Sequence, residues 1–275
     1  MPFITANDGT QLFWREWGEG APILFLSSLG CGTTLWDYQI AAFAEQGFRC
    51  IGFDRRGHGR SDIPARGYDH NTFADDVATV IDTLDLRDLV IITHSMAGGE
   101  AVRYLSRHGA GRIRRLVLVA PMTPMLLQSE DNPGGAPMEG FEALWALWKQ
   151  DYPKWVADAT PGFFVPQTSD AMMRSATGLL QSPLAVLLAC SRSMVEEDFR
   201  AEMQRIDVPT LLIHGDLDQS APIEIAGKPS AKLIPGCTLK IYEGAPHGLM
   251  FTHMDRLHAD ILQFIRKTRG IEHAA

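Results

Sequence analysis

Six short apolar runs, at 23–26, 50–53, 89–93, 116–120, 210–214 and 239–242, alternate with longer mixed segments along the chain. This alternation constrains the fold more than any other feature. The runs are nearly continuous in Ile, Leu and Val, as strands covered on both faces are. Between them the period changes. In 71–84 the apolar residues Phe73, Val77, Val80, Ile81 and Leu84 fall on one face of a 3.6-residue repeat. Asn71 is the expected N-cap. A second helix is predicted over 96–108, closed by Gly109. A last one covers 257–265, with Leu257, Ile261, Phe264 and Ile265 on one side. A hairpin precedes the series: 3–6, a turn at Asn7-Asp8-Gly9, then 11–17. Strand–helix alternation of this kind predicts an α/β protein with a mostly parallel, doubly wound sheet.

One stretch breaks the pattern. From 122 to 204 no strand period occurs. The segment holds a loop, LLQSEDNPGGAP, and helical patches at 141–149, 169–180 and 183–203. It reads as a helical cap inserted in a single domain spanning 1–275, lying over the carboxyl ends of the strands, where open α/β sheets bind ligands.

Several function classes are disfavoured. With 25 Lys and Arg against 33 Asp and Glu, the net charge is −8, which repels phosphate backbones, so no nucleic-acid partner is expected. The basic cluster Arg112, Arg114 and Arg115 reads as a solvated turn. The start, MPFITANDGTQLFW, lacks the basic-then-apolar order of a signal peptide. No apolar stretch approaches the ~20 residues of a membrane span. The four cysteines, at 31, 50, 190 and 237, show no C-x-x-C spacing, which suits reduced thiols and a cytoplasmic setting. His214, Asp216 and Asp218 have no second ligand set at metal-site spacing, so no metal is expected.

The sharpest chemical signal is LVIITHSMAGGEAVRYL. A buried strand runs into a helix, and Ser95 sits between them in Thr93-His94-Ser95-Met96-Ala97. This is the strand–elbow–helix context in which a serine hydroxyl is lifted clear of a sheet as a nucleophile. The flanking positions must be small, and Thr93 and Ala97 stand there. Gly98 and Gly99 allow close packing of the helix. A serine nucleophile needs a base. Of nine histidines, His247 is best placed, in Gly-Ala-Pro-His-Gly after the last apolar run. His214 ends a strand as a core residue, and His253 and His273 read as surface residues. The acid that orients the base should follow the preceding strand. HGDLDQSAP offers Asp216 and Asp218; Asp218 lies further into the loop and is assigned, with Asp216 as a turn former. The order Ser, Asp, His fits this architecture.

A tetrahedral oxyanion needs two N–H donors. One is the Met96 amide. The other is assigned to Leu29, in the small, glycine-containing loop Ser27-Ser28-Leu29-Gly30-Cys31-Gly32. Cys31 reads as a small supporting residue with no base placed for it. In the insertion, Trp145, Trp148 and Phe163 are candidates to line a substrate pocket. The competing reading has them packing the cap onto the core.

These blocks together resemble one family. NDGTQLFWREWG, FDRRGHGRSD, TFADDVATVIDTLDL, the elbow, IDVPTLLIHGDLDQ and APHG are similar, over nearly the whole chain, to bacterial arylesterases of the cofactor-free haloperoxidase (perhydrolase) group of α/β-hydrolases. The resemblance implies the α/β-hydrolase fold, a mostly parallel eight-stranded sheet flanked by helices. It implies a Ser95–Asp218–His247 triad with Leu29 and Met96 as oxyanion donors, no cofactor, and a homo-oligomer. Two departures stand out. Ser27-Ser28-Leu29-Gly30 replaces His-Gly-x-Pro, and with LWDYQI it is similar to the loop of 3-oxoadipate enol-lactonases. Thr93 and Ala97 replace the elbow glycines. The resulting expectation is a serine carboxylesterase for small neutral or aromatic esters, working through an acyl-enzyme. The rival readings are a lactonase, enol-lactonase or γ-lactamase of the same fold, with weak perhydrolase activity alongside.

Overall fold

The structure is a computed structural model that describes residues 2–267; His273 lies outside them. In chain order the elements are β1 (Phe3–Thr5), β2 (Gln11–Trp17), β3 (Ala21–Leu26), α1 (Asp37–Glu45), β4 (Phe48–Phe53), α2 (His70–Thr83), β5 (Leu89–His94), α3 (Ala97–His108), β6 (Ile113–Val119), α4 (Met138–Phe163), α5 (Asp170–Thr177), α6 (Leu184–Glu196), α7 (Arg200–Met203), β7 (Thr210–Gly215), α8 (Gly227–Leu233), β8 (Thr238–Tyr242), α9 (Leu249–Thr252) and α10 (Met254–Arg266).

The strands form one eight-stranded sheet in the order β1-β2-β4-β3-β5-β6-β7-β8. β1–β2 and β2–β4 pair antiparallel, and every later pair is parallel. The period-2 rule explains why the apolar runs are continuous. Leu24, Ile91, Leu116 and Leu118 point into one core, with Val77 and Ile81 of α2. Their neighbours Ile23, Phe25, Val90, Ile92, Val117 and Val119 point into the other, with Phe43 of α1 and Leu257 and Ile261 of α10. The central strands therefore have to be apolar on both faces, whereas the edge strand β8 is only partly buried.

Local chemistry sets the helix ends. α2 is capped by Asp69, not Asn71: the Asp69 Oδ1 accepts the Thr72 N–H at 3.0 Å, so the helix starts a residue before Asn71. Gly109, at φ +79°, closes α3. The helices α1 and α8 lay outside the sequence reading. α8 contains Gly and Pro and offers too few apolar positions to show a period. The basic cluster is not a solvated turn either. Arg115 is buried inside β6, and Arg112 pairs with Asp82 and Asp85.

Between β6 and β7 the chain builds a cap from α4 to α7. α4 is two helices joined at Asp151, whose φ of −159° and ψ of 81° are not helical. The Asp151 carboxylate accepts the Lys154 N–H at 3.0 Å, and Pro153 sits in the first turn of the new helix. This bend aims Phe163 at the carboxyl ends of the strands, where the Gly248 N–H donates to its carbonyl at 3.1 Å. Among the described residues, no helix is long and apolar enough to cross a membrane.

Candidate active site

Ser95 leaves β5 at φ +59°, in the left-handed region that non-glycine residues rarely enter. The turn is held from both sides. Its N–H donates to the Val119 carbonyl at 3.1 Å, and its carbonyl accepts from Gly98 at 3.0 Å and Met122 at 3.2 Å. The small residues after it are steric requirements. A Cβ on Gly98 would stand 2.9 Å from Pro121, and one on Gly99 would stand 2.7 Å from Phe199. Strain of this kind costs about 1–3 kcal/mol and is concentrated at functional positions.

His247 and Asp218 come from the loops after β8 and β7. The His247 Nδ1–H donates to the Asp218 Oδ2 at 2.7 Å, in a fully enclosed contact. The other carboxylate oxygen accepts the Ser220 and Ala221 N–H groups at 2.9 and 2.7 Å. Burial pushes the Asp218 carboxyl up. The positive charge available on His247, and the hydrogen bonds from His214, His247 and Ala221, outweigh it and hold the group well below the usual carboxylate range. Asp216 has the other role: it turns the loop by accepting the Gly244 N–H at 2.7 Å.

Two further histidines brace this pair. His94 Nε2–H donates to the His247 carbonyl at 3.1 Å, and the two rings lie 4.6 Å apart. His214 Nε2–H donates to the Ala221 carbonyl at 2.7 Å and lies 3.2 Å from the Asp218 Oδ2. Burial, then the nearby His247 charge, depresses His94, so it stands as a neutral ring. The sequence places His214 in the core at a strand end, where it is found, but assigns neither residue a role at the site. His94 had a signal, since it lies inside the elbow next to Ser95. Among the described residues no hydrogen bond joins the Ser95 hydroxyl to the His247 ring. Bonds of this type often tighten only in the substrate complex.

The loop after β3 completes the site. The Ser27 hydroxyl donates to the Gly32 carbonyl at 2.8 Å, and the Asp54 Oδ1 accepts the Thr33 N–H at 2.6 Å. Among the described residues, neither the Leu29 nor the Met96 N–H is taken up by a protein acceptor. Both remain available to a ligand oxygen.

A family model described as the alpha/beta hydrolase fold matches residues 21–187. The chain belongs to this family. Within it, the chain is 37% identical to the non-heme chloroperoxidase CPO-A1 of Kitasatospora aureofaciens, over 97% of this chain and all of the relative. It is 32% identical to the bifunctional esterase/perhydrolase DCH of Acinetobacter calcoaceticus, again over 97% and 100%. The solved esterase of Exiguobacterium antarcticum superposes with a TM-score of 0.93 at 29% identity, covering 96% of this chain and 99% of that one. The hydrolase is thus one of the non-heme haloperoxidase and esterase group.

A cavity of about 140 Å³ adjoins the site of this hydrolase. Its wall includes Ser28, Cys31, Leu35, Trp155, Phe163 and Phe251, and among the described residues no charged side chain lines it. Ser28 immediately precedes Leu29. Phe163 meets the His247 ring edge-on at 5.4 Å. Of the three aromatic candidates from the sequence, only Phe163 lines this cavity. Trp145 and Trp148 are buried within the cap, against Leu187 and Val195, and the Trp145 Nε1–H donates to Ser191 at 2.9 Å. The packing reading holds for these two, because the bend at Asp151 turns their half of α4 away. Burial pushes the Cys31 thiol up to about 11, which keeps it protonated at neutral pH.

Proposed function

We propose that the hydrolase cleaves small, uncharged carboxylic esters through an acyl-enzyme on Ser95. The observation that carries this reading is the strained Ser95 turn, tied through its neighbour His94 to the main chain of His247 in the Asp218–His247 pair, with the Leu29 and Met96 amides left without a protein acceptor. In the proposed reaction His247 takes the Ser95 proton as the hydroxyl attacks the ester carbonyl. The Leu29 and Met96 N–H groups receive the oxyanion. His247 then protonates the departing alkoxide to the alcohol, and water enters by the same route in reverse. Asp218 fixes the His247 tautomer and stabilises the imidazolium.

The cavity sets the scale of the substrate. About 150 Å³ accommodates a benzene-sized group, and this cavity is similar in volume and apolar in lining. A short acyl chain or an aryl group fits. A carboxylate would be desolvated there without a counter-charge, which disfavours acidic lactones. The test is a series of nitrophenyl esters and small lactones against wild type and Ser95→Ala, with fluorophosphonate labelling of both. The expected result is ester turnover and labelling in wild type and a loss of at least 10³-fold in the variant. Retained turnover in Ser95→Ala would overturn the assignment of the nucleophile.

A further inference from the structure

Arg55 follows β4, and its side chain is 4% exposed; that of Glu100 in α3 is 1% exposed. The Arg55 guanidinium is divided between two places. Its Nε–H donates to the Glu100 Oε1 at 2.5 Å. Its Nη2 donates to the Ser27 carbonyl at 2.6 Å and its Nη1 to the Ser28 carbonyl at 3.4 Å. The adjacent Arg56 faces elsewhere, to Asp76 and Asp8, so the two arginines do not substitute for each other.

The peptide geometry makes this pairing informative. The Ser28 C=O and the Leu29 N–H belong to one planar unit and point in opposite directions. Holding that carbonyl aims the N–H, and a charged donor on the carbonyl polarises the N–H further. Cys31 N–H donates to the same carbonyl at 3.2 Å. Glu100 lies four residues beyond Met96, one turn along the same helix. The ion pair therefore ties the peptide bearing one unengaged amide to the helix that begins beside the other. A buried ion pair gives little net stability over well-packed apolar residues, so stability alone does not account for it.

We infer that Arg55, braced by Glu100, is a positioning residue that sets the orientation of the Leu29 amide, and its separation from the Met96 amide, for the developing oxyanion. This rests on the ester-hydrolase reading above.

The test uses Arg55→Met/Glu100→Leu, Arg55→Lys and Glu100→Gln in the full chain. Active Ser95 is counted by fluorophosphonate titration, so that kcat is expressed per functional site. For the double variant we expect kcat to fall about 10²-fold, the scale of losing one oxyanion donor, with KM within threefold. Affinity for an aryl trifluoromethyl ketone, which forms the tetrahedral adduct, should fall in parallel. The pH midpoint of kcat/KM should stay in place, since His247 and Asp218 are untouched. Arg55→Lys, which keeps the charge but not the fork, should lose an intermediate amount. Glu100→Gln keeps a hydrogen-bonding partner for Arg55 and supplies the readout should the double variant not fold; a fivefold loss of kcat is expected. Unchanged kcat per active site in the variants that fold would overturn the inference, as would a loss of kcat with full ketone affinity. A wild type that turns over no ester would instead remove the reading beneath it.

Discussion

His94 donates its Nε2–H to the main-chain carbonyl of His247 at 3.1 Å while the two rings lie 4.6 Å apart. The residue before Ser95 thus holds the loop that carries His247, the proposed base. His94→Phe preserves the ring and deletes the donor, leaving a buried carbonyl unpaired at a cost of about 1–3 kcal/mol. The expected outcome is a fall in kcat of roughly tenfold with KM little changed. Steady-state kinetics on a nitrophenyl ester, with circular dichroism as a fold control, checks it.

His214 acts one step further out. Its Nε2–H is shared between the Ala221 carbonyl and the Asp218 Oδ2. Deleting this donor in His214→Leu leaves more negative charge on Asp218 facing His247, which favours the imidazolium. The acid limb of kcat/KM should therefore move to higher pH, by up to about one unit. A limb that stays in place or moves to lower pH would refute the coupling.

Gly30 stands at the place of the proline in the His-Gly-x-Pro pattern that the sequence resemblance implies, and its φ is +80°. Proline is locked near −65°, so this backbone cannot take it without rebuilding the loop. Gly30→Pro should lower esterase kcat by at least tenfold and should not raise peracid formation from acetate and hydrogen peroxide. A gain of peracid formation would show that the proline alone confers that chemistry.

Ala176 is half-buried and lines the apolar cavity. Ala176→Phe should fill much of it. Turnover of nitrophenyl butyrate and benzoate is expected to fall about tenfold relative to acetate. Equal loss on all three esters would place the acyl group elsewhere.

His58 and His70 are buried and lowered to about 3, by burial first and then by nearby Arg55 for His58 and Arg103 and Arg55 for His70. Their folded values lie below the ordinary 6.5, so the unfolded chain takes up protons that the folded chain refuses. Stability is full above about pH 6.5 and falls as pH drops toward 3. At pH 5 each costs about 2 kcal/mol. Urea unfolding should show this loss between pH 7 and pH 5. In His70→Phe the loss should shrink by about the share of one histidine, whatever the variant's absolute stability.

Much of this protein is legible from short segments. The apolar runs mark the strands because a central strand has two buried faces, and Ile, Leu and Val are then needed at successive positions. The elbow is legible because Ser95 needs small neighbours in sequence, and His247 and Asp218 each sit in a loop directly after a strand. Such requirements act within a few residues, so the sequence can state them. The remainder depends on which distant surfaces meet. Trp145 and Phe163 belong to one stretch of chain, yet a bend at Asp151 buries the first in the cap and brings the second against His247. Arg55 and Glu100 are ordinary charged residues in sequence. The turn after β4 sets Arg55 against Glu100 of the helix after β5, where both side chains are buried, and gives the guanidinium the carbonyls of the loop after β3. Side-chain direction, desolvation and partner choice arise from packing across many residues, and those are the properties only the tertiary structure decided.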